Sequence, residues 1–166
     1  MMPTNEKSQA NAQTVATPIV HSVIVDLPID LAFELFTAGM HTWWPTATHS
    51  IAADTFEGKV TVEAVVFEQR LGGRVLERMS DGVDAPWGTI IGWEPPHRFV
   101  MTWNPTLLDR PPTEVEVRFT RVDDQRTRVE LEHRGWENLV ERRDELHASY
   151  TKGWPYVLAR YVLAGS

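Results

Sequence analysis

Two neighbouring stretches near the C-terminal end constrain the fold most. From Thr113 to Val122, Val115, Val117 and Phe119 alternate with Glu114, Glu116 and Arg118; from Thr127 to Gly135, Val129, Leu131 and His133 alternate with Glu130, Glu132 and Arg134. Period-two alternation puts one set of side chains on each face of a strand, and the polar turn Asp123 to Arg126 joins the two. Strands with one wetted face belong to an antiparallel sheet, whereas strands covered on both faces read as near-continuous apolar runs. A doubly wound nucleotide-binding fold is therefore not expected.

Such a sheet needs a cover, and the segment from about Asn138 to Ala164 supplies one. Leu146, Tyr150, Gly153, Trp154, Val157 and Tyr161 recur at three to four residues and form an apolar stripe on a helix. Asn138, three residues before Glu141, reads as its cap. Gly153 allows close approach to the sheet, and Pro155 removes the bond to the Thr151 carbonyl and is expected to bend the axis. His133 lies on the strand face that should meet this helix.

The rest of the chain reads as further strands and connectors. Ile19 to Asp26 has strand period, and Pro28 with Asp30 opens a helix that Gly39 ends. Met40 to Pro45, with Trp43 and Trp44, suits a short second helix or turn with at least one buried indole. Thr46 to Gly58 reads as a loop. Strands follow at Val60 to Phe67, Arg74 to Met79, Pro86 to Trp93 and Arg98 to Trp103, with Gly72-Gly73 and Asp81-Gly82 as turns. Glu77 falls on the same face as Val75 and Met79, among apolar residues. Gly88 and Gly92 mark places where something packs closely, and Asn104 to Pro112 is an irregular, proline-containing loop.

A chain of 166 residues suits one core, expected over 18–166, with a loose, polar tail over 1–17. Sixteen basic against 23 acidic residues give a net charge of -7 without a basic run, so neither nucleic acid nor an anionic membrane is an expected partner. There is no cysteine, no secretory signal and no apolar run long enough to span a bilayer, and a cytoplasmic location is expected. Gly72-Gly73 lacks the ending of a phosphate loop, no serine sits in a nucleophile elbow, and the six histidines lack zinc-helix spacing. No cofactor and no metal are expected.

The order of strand, two helices, six strands and long helix resembles the START-like helix-grip (SRPBCC) superfamily, and within it the branch named after the activator of Hsp90 ATPase homologue 1. The resemblance rests on Val23 to Pro28 with Ala32-Phe33, Trp43-Trp44-Pro45, Leu71-Gly72-Gly73-Arg74, Gly88 to Ile91 with Glu94-Pro95-Pro96-His97-Arg98-Phe99, Met101-Thr102-Trp103, Thr127 to His133, and Gly153-Trp154 with Val157-Leu158. It implies an α+β fold in which a curved seven-stranded antiparallel sheet grips the C-terminal helix around a cavity, with two short helices after the first strand. In that frame the cavity would be lined by Trp87, Met101, Trp103, Phe119, His133, Tyr150 and Trp154, with Trp43 near the entrance. The leading expectation is a binding or carrier module for a small hydrophobic or aromatic molecule. The alternatives are a cyclase or dehydratase using His133 and Glu77 as acid and base, and a protein-interaction module related to Hsp90 activation, which an exposed aromatic patch around Trp43 and Trp44 would favour. Homodimerisation is plausible for this class.

Overall fold

The computed structural model describes residues 17–166. The tail expected over 1–17 lies outside the described residues except for Thr17, whose carbonyl accepts a hydrogen bond from His147 Nε2 at 2.9 Å.

Seven strands form one antiparallel sheet: β1 (Ile19–Val25), β2 (Val62–Phe67), β3 (Arg74–Met79), β4 (Asp84–Glu94), β5 (Arg98–Trp103), β6 (Thr113–Asp123) and β7 (Arg126–Arg134). Their spatial order is β1-β7-β6-β5-β4-β3-β2. The chain thus meanders from β2 to β7 and closes with β1 beside β7. Helices α1 (Ile29–Phe36) and α2 (Ile51–Phe56), with a single 3-10 turn at Met40–Thr42 between them, separate β1 from β2, and α3 (Arg143–Ala164) follows β7. The helix-grip architecture expected from the sequence is present. No helix among the described residues is long and apolar enough to cross a membrane.

Alternation on β6 and β7 sorts the faces as expected. Val115 pairs with His133 and Val117 with Leu131, all buried beneath α3, while Glu116 pairs with Glu132 on the other face. Glu116 is nonetheless buried, because Arg98 and Arg134 reach its oxygens at 3.3 and 2.9 Å and Arg118 closes over it. Burial pushes this carboxyl up, but hydrogen bonds from Arg134 and Arg98 and the charge of Arg118 outweigh it and hold it below the usual carboxylate range.

Two expectations about helices need correction. Asn138 does not cap α3; it lies in a 3-10 turn, Trp136–Asn138, and its side-chain amide donates to the Pro112 carbonyl at 3.2 Å. That turn buries Trp136 and Leu139 against the sheet, so α3 starts only at Arg143, after Arg142 in the left-handed region. The stretch Thr46 to Gly58 is not all loop. It contains α2, whose N-cap Ser50 accepts from the Ala53 N–H at 3.0 Å. By contrast α3 does run unbroken through Pro155, and both Pro155 and Thr151, whose carbonyl loses its helical donor, are exposed residues.

The core between sheet and helices is rich in aromatic rings that touch one another. Near α1, Phe33 meets Phe119 at 5.0 Å and Phe36 meets Tyr161 at 4.9 Å, and the Tyr161 hydroxyl donates to the Ala32 carbonyl at 2.8 Å, tying α3 to α1. Toward α2, Trp44 meets Trp87 at 5.0 Å and Trp103 meets Trp154 at 5.2 Å. Strand β4 delivers Trp87 through a bulge: Val75 pairs with Gly88 and Leu76 with Pro86, leaving Trp87 as the extra residue. Next to it, a Cβ added at Gly88 would lie 1.7 Å from the Thr102 carbonyl oxygen. Backbone cannot yield as a side chain can, so Gly88→Ala is expected to destabilise the fold by about 1–3 kcal/mol in urea unfolding; an unchanged midpoint would show that β4 and β5 separate freely there.

Candidate functional site

The floor of the candidate site is the end of β5 and the start of β6. Trp103 closes β5, the loop 104–112 rises from it, and Thr113 opens β6 on the inward face. Above them lie α2 and the first turns of α3. Between these elements opens a pocket of about 700 Å³. Ile51, Asp54 and Thr55 of α2 form one wall and Leu146, Ser149 and Tyr150 of α3 another. Trp103, Thr113, Trp136 and Leu139 lie at the base, and the loop contributes Leu107, Leu108, Arg110 and Pro111.

Of the expected ligand contacts, Trp103 and Tyr150 line this pocket. Trp43, Trp87, Met101, Phe119, His133 and Trp154 are buried and do not line it. They pack the space under α3 that the resemblance assigns to an internal cavity. Trp43 is also anchored by its indole N–H on the Leu35 carbonyl at 2.8 Å, and Trp44 by its own on the His49 carbonyl at 2.7 Å. The pocket accordingly sits at one end of the grip rather than along its middle.

His133 holds a fully used hydrogen-bond chain. The Trp154 indole N–H donates to His133 Nδ1 at 3.0 Å, so Nδ1 carries no proton and Nε2 does. Nε2–H then donates to Thr113 Oγ1 at 2.7 Å, and the Thr113 hydroxyl donates to the Trp103 carbonyl at 3.2 Å. Burial, with a smaller contribution from the charge of His147, pulls the imidazole pKa down to about 3. It is neutral at any ordinary pH and fixed in one tautomer.

Glu77 is equally occupied. Its Oε1 accepts from the Ile51 N–H at 2.6 Å and from Trp87 Nε1–H at 2.8 Å, and its Oε2 accepts from the Ala52 N–H at 3.0 Å. Ile51 and Ala52 are the first two residues of α2, whose free N–H groups lack partners within the helix. The carboxylate therefore stitches β3 to the start of α2. No hydrogen bond joins Glu77 to His133, and neither lines the pocket.

The polar groups that do line the pocket are others. Burial pushes the Asp54 carboxyl up, with His49 pulling it down and Glu77 pushing it further up. Arg110 is half-buried and pairs with no carboxylate among the described residues, whereas Arg142 is engaged with Glu145 at 2.8 Å. Burial pushes the Tyr150 phenol up to about 12, against the neighbouring Trp103 indole N–H, which favours the ionised form. No group of three or more His, Cys, Asp or Glu side chains among the described residues is placed to hold a metal ion.

Asp54, Arg110, Trp136 and Leu139 are not among the site residues expected from the sequence. Two of them had a readable signal: Trp136 is a bulky indole directly after a strand, and Arg110 lies in a long loop with its own prolines, the kind of segment that often carries function. Thr113 had one as well, since it is a polar residue on the apolar side of an alternating strand. Asp54 had none, because α2 is too short to show a period.

A long helix laid across a curved seven-stranded antiparallel sheet defines the helix-grip class, an architecture that generally serves to bind hydrophobic ligands. The chain belongs to the activator of Hsp90 ATPase homolog 1-like family, whose model matches residues 26–161. Among solved structures, it is similar to CalC, a self-sacrificing resistance protein from Micromonospora echinospora, at 25% identity and a TM-score of 0.63, covering 89% of this chain and 92% of that one. It is also similar to Txn09, an anthrahydroquino-γ-pyrone synthase, at 29% identity and a TM-score of 0.56, covering 87% and 94%. The Aha1 dimer from Colwellia psychrerythraea shares the fold at 17% identity and a TM-score of 0.59, covering 90% and 96%. No sequence among the curated proteins matches this chain.

Proposed function

We propose that the protein binds a small aromatic molecule in the pocket between α2, the β5–β6 loop and α3. The observation that carries this reading is the pocket itself: about 700 Å³, with Trp103, Trp136 and Tyr150 among its lining. That volume suits one drug-sized ligand, and its lining pairs three aromatic side chains, on which a flat ring can rest, with a larger set of polar groups that can orient it. The similarity to Txn09 supports an aromatic ligand, since that synthase is named for a fused aromatic framework.

The two alternatives draw less support. Acid–base catalysis by His133 and Glu77 needs a free nitrogen or oxygen within reach of a substrate. Here both imidazole nitrogens and both carboxylate oxygens already have protein partners. A docking role resting on exposed Trp43 and Trp44 is not favoured, because both are buried.

The test is titration with 1-anilinonaphthalene-8-sulfonate, followed by probe emission and tryptophan quenching. Saturable binding is expected, and Ser149→Trp, which fills the pocket from an exposed position on α3, is expected to weaken it at least about 10-fold. Unchanged affinity in that variant would place the bound probe elsewhere on the molecule.

A further inference from the structure

The Tyr150 side chain is held by rings on several sides, stacking on Trp154 at 5.9 Å and meeting the edge or face of His133 at 4.9 Å and Trp136 at 5.8 Å. Its ring is therefore fixed, and its hydroxyl is placed by packing rather than by a hydrogen bond. The Trp103 indole N–H lies beside that hydroxyl. It is not aligned to donate, and this N–H, on a side chain only 5% exposed, has no hydrogen-bond partner. Apart from that neighbour, the hydroxyl has no partner among the described residues.

A buried donor without an acceptor, as the Trp103 N–H is, is unusual, since a polar group withdrawn from water costs free energy unless it is paired, and beside it the hydroxyl of the half-buried Tyr150 has no protein acceptor either. Both belong to residues that line the pocket. An indole N–H can only donate, so it cannot accept the phenolic proton; that proton is available to a ligand whatever Trp103 does. Turning the O–H to a ligand moves neither the phenolic oxygen nor the indole, so the bond to the ligand forms without disturbing the packing, and the Trp103 N–H dipole beside the oxygen supports it. Around them stand Asp54 from α2, Arg110 from the β5–β6 loop and Arg142 just ahead of α3; Arg142 is paired with Glu145 of α3, which leaves Arg110 as the one lining cation without a carboxylate partner among the described residues.

Resting on the binding reading above, we infer that the ligand is an aromatic ring system bearing a conjugated carbonyl oxygen, which accepts the Tyr150 O–H with Trp103 N–H behind it. A plain aromatic hydrocarbon of the same shape would take solvent away from the Tyr150 hydroxyl and offer it no acceptor.

9-Fluorenone and fluorene, which differ by one ring carbonyl, are the probes. Tryptophan quenching is expected to show fluorenone binding at least about 10-fold more tightly than fluorene, the ratio that one hydrogen bond to a buried donor yields. Tyr150→Phe deletes only an oxygen without a settled partner, so its melting temperature should stay within about 3 °C of the parent. In that variant fluorene affinity should persist while the preference falls to about 2-fold or less. The carbonyl stretch of bound fluorenone should lie lower in the parent than in Tyr150→Phe. Equal affinities in the parent, or a preference that survives Tyr150→Phe, overturns the inference while leaving the pocket occupied. Loss of fluorene binding in Tyr150→Phe also overturns it, by making the residue a packing wall. Failure of both hydrocarbon and ketone to bind the parent overturns the binding reading itself.

Discussion

Replacing Glu77 with alanine is expected to destabilise the protein by about 3–5 kcal/mol, because three buried N–H donors lose their acceptor at once and each stranded group costs about 1–3 kcal/mol before relaxation. The donors are the Ile51 and Ala52 amides and the Trp87 indole, at 2.6, 3.0 and 2.8 Å. In a chain of this size the loss corresponds to a fall in melting temperature of about 6–20 °C. Glu77→Gln should fall between parent and alanine variant: its amide keeps one acceptor oxygen but turns an NH2 group toward a donor. Thermal unfolding with near-ultraviolet circular dichroism of the tryptophans measures both. A Glu77→Ala protein that melts within 2 °C of the parent would mean the carboxylate is dispensable to the fold, and would revive its candidacy as a catalytic acid.

The second large effect is a loss of stability in mild acid that His133 controls. In the unfolded chain this imidazole titrates near the ordinary 6.5, whereas in the folded protein burial holds its pKa at about 3. Above pH 6.5 both states are neutral there and nothing is at stake. Below it the unfolded chain takes up a proton that the native state refuses, so stability falls as pH drops from 6.5 toward 3. The slope is about 1.4 kcal/mol per pH unit, which sums to about 2 kcal/mol between pH 7.5 and 5 and about 3 kcal/mol by pH 4. Carboxyls held low by arginines, such as Glu116, add their own loss only at lower pH, below the unfolded carboxylate range. Urea unfolding at half-unit pH steps reads the slope. In His133→Phe the protein should be weaker at pH 7.5, since the Trp154 N–H and Thr113 lose their partner, yet that part of the slope between pH 6.5 and 5 should vanish. An identical slope in parent and variant would mean that His133 is not the group responsible.

These two residues also show what could be read from order alone. Alternation placed Glu77 and His133 on inward faces, and both are buried there. The reading as an acid–base pair went further than alternation permits. Period two tells which face a side chain leaves from, but the partners that occupy its polar atoms lie 10, 25 and 26 residues away for Glu77 and 20 and 21 away for His133. Likewise the burial of Trp43 and Trp44 follows from two indoles beside a proline stop, whereas the Leu35 and His49 carbonyls that anchor them follow from the local turn.

The short helix α2 and the late start of α3 were not legible, for a related reason. Six residues show no usable period, and α2 is held by Ser50 at its cap and by a carboxylate from β3 on its first two amides. Asn138 looked like a cap because of Glu141 three residues on, but the burial of Trp136 and Leu139 outweighs a cap worth about 1 kcal/mol.

Order along the chain determined the antiparallel sheet, the two-faced strands, the covering helix and the aromatic character of what lies between them, because each of these depends on spacings of two to four residues. Only the tertiary structure decided that the indoles under α3 pack against one another, that the open space lies at the end of the grip beside α2 and loop 104–112, and that Tyr150 and Trp103 face it without acceptors. Those outcomes depend on how side chains from five separate elements share one volume, and no local period encodes that division.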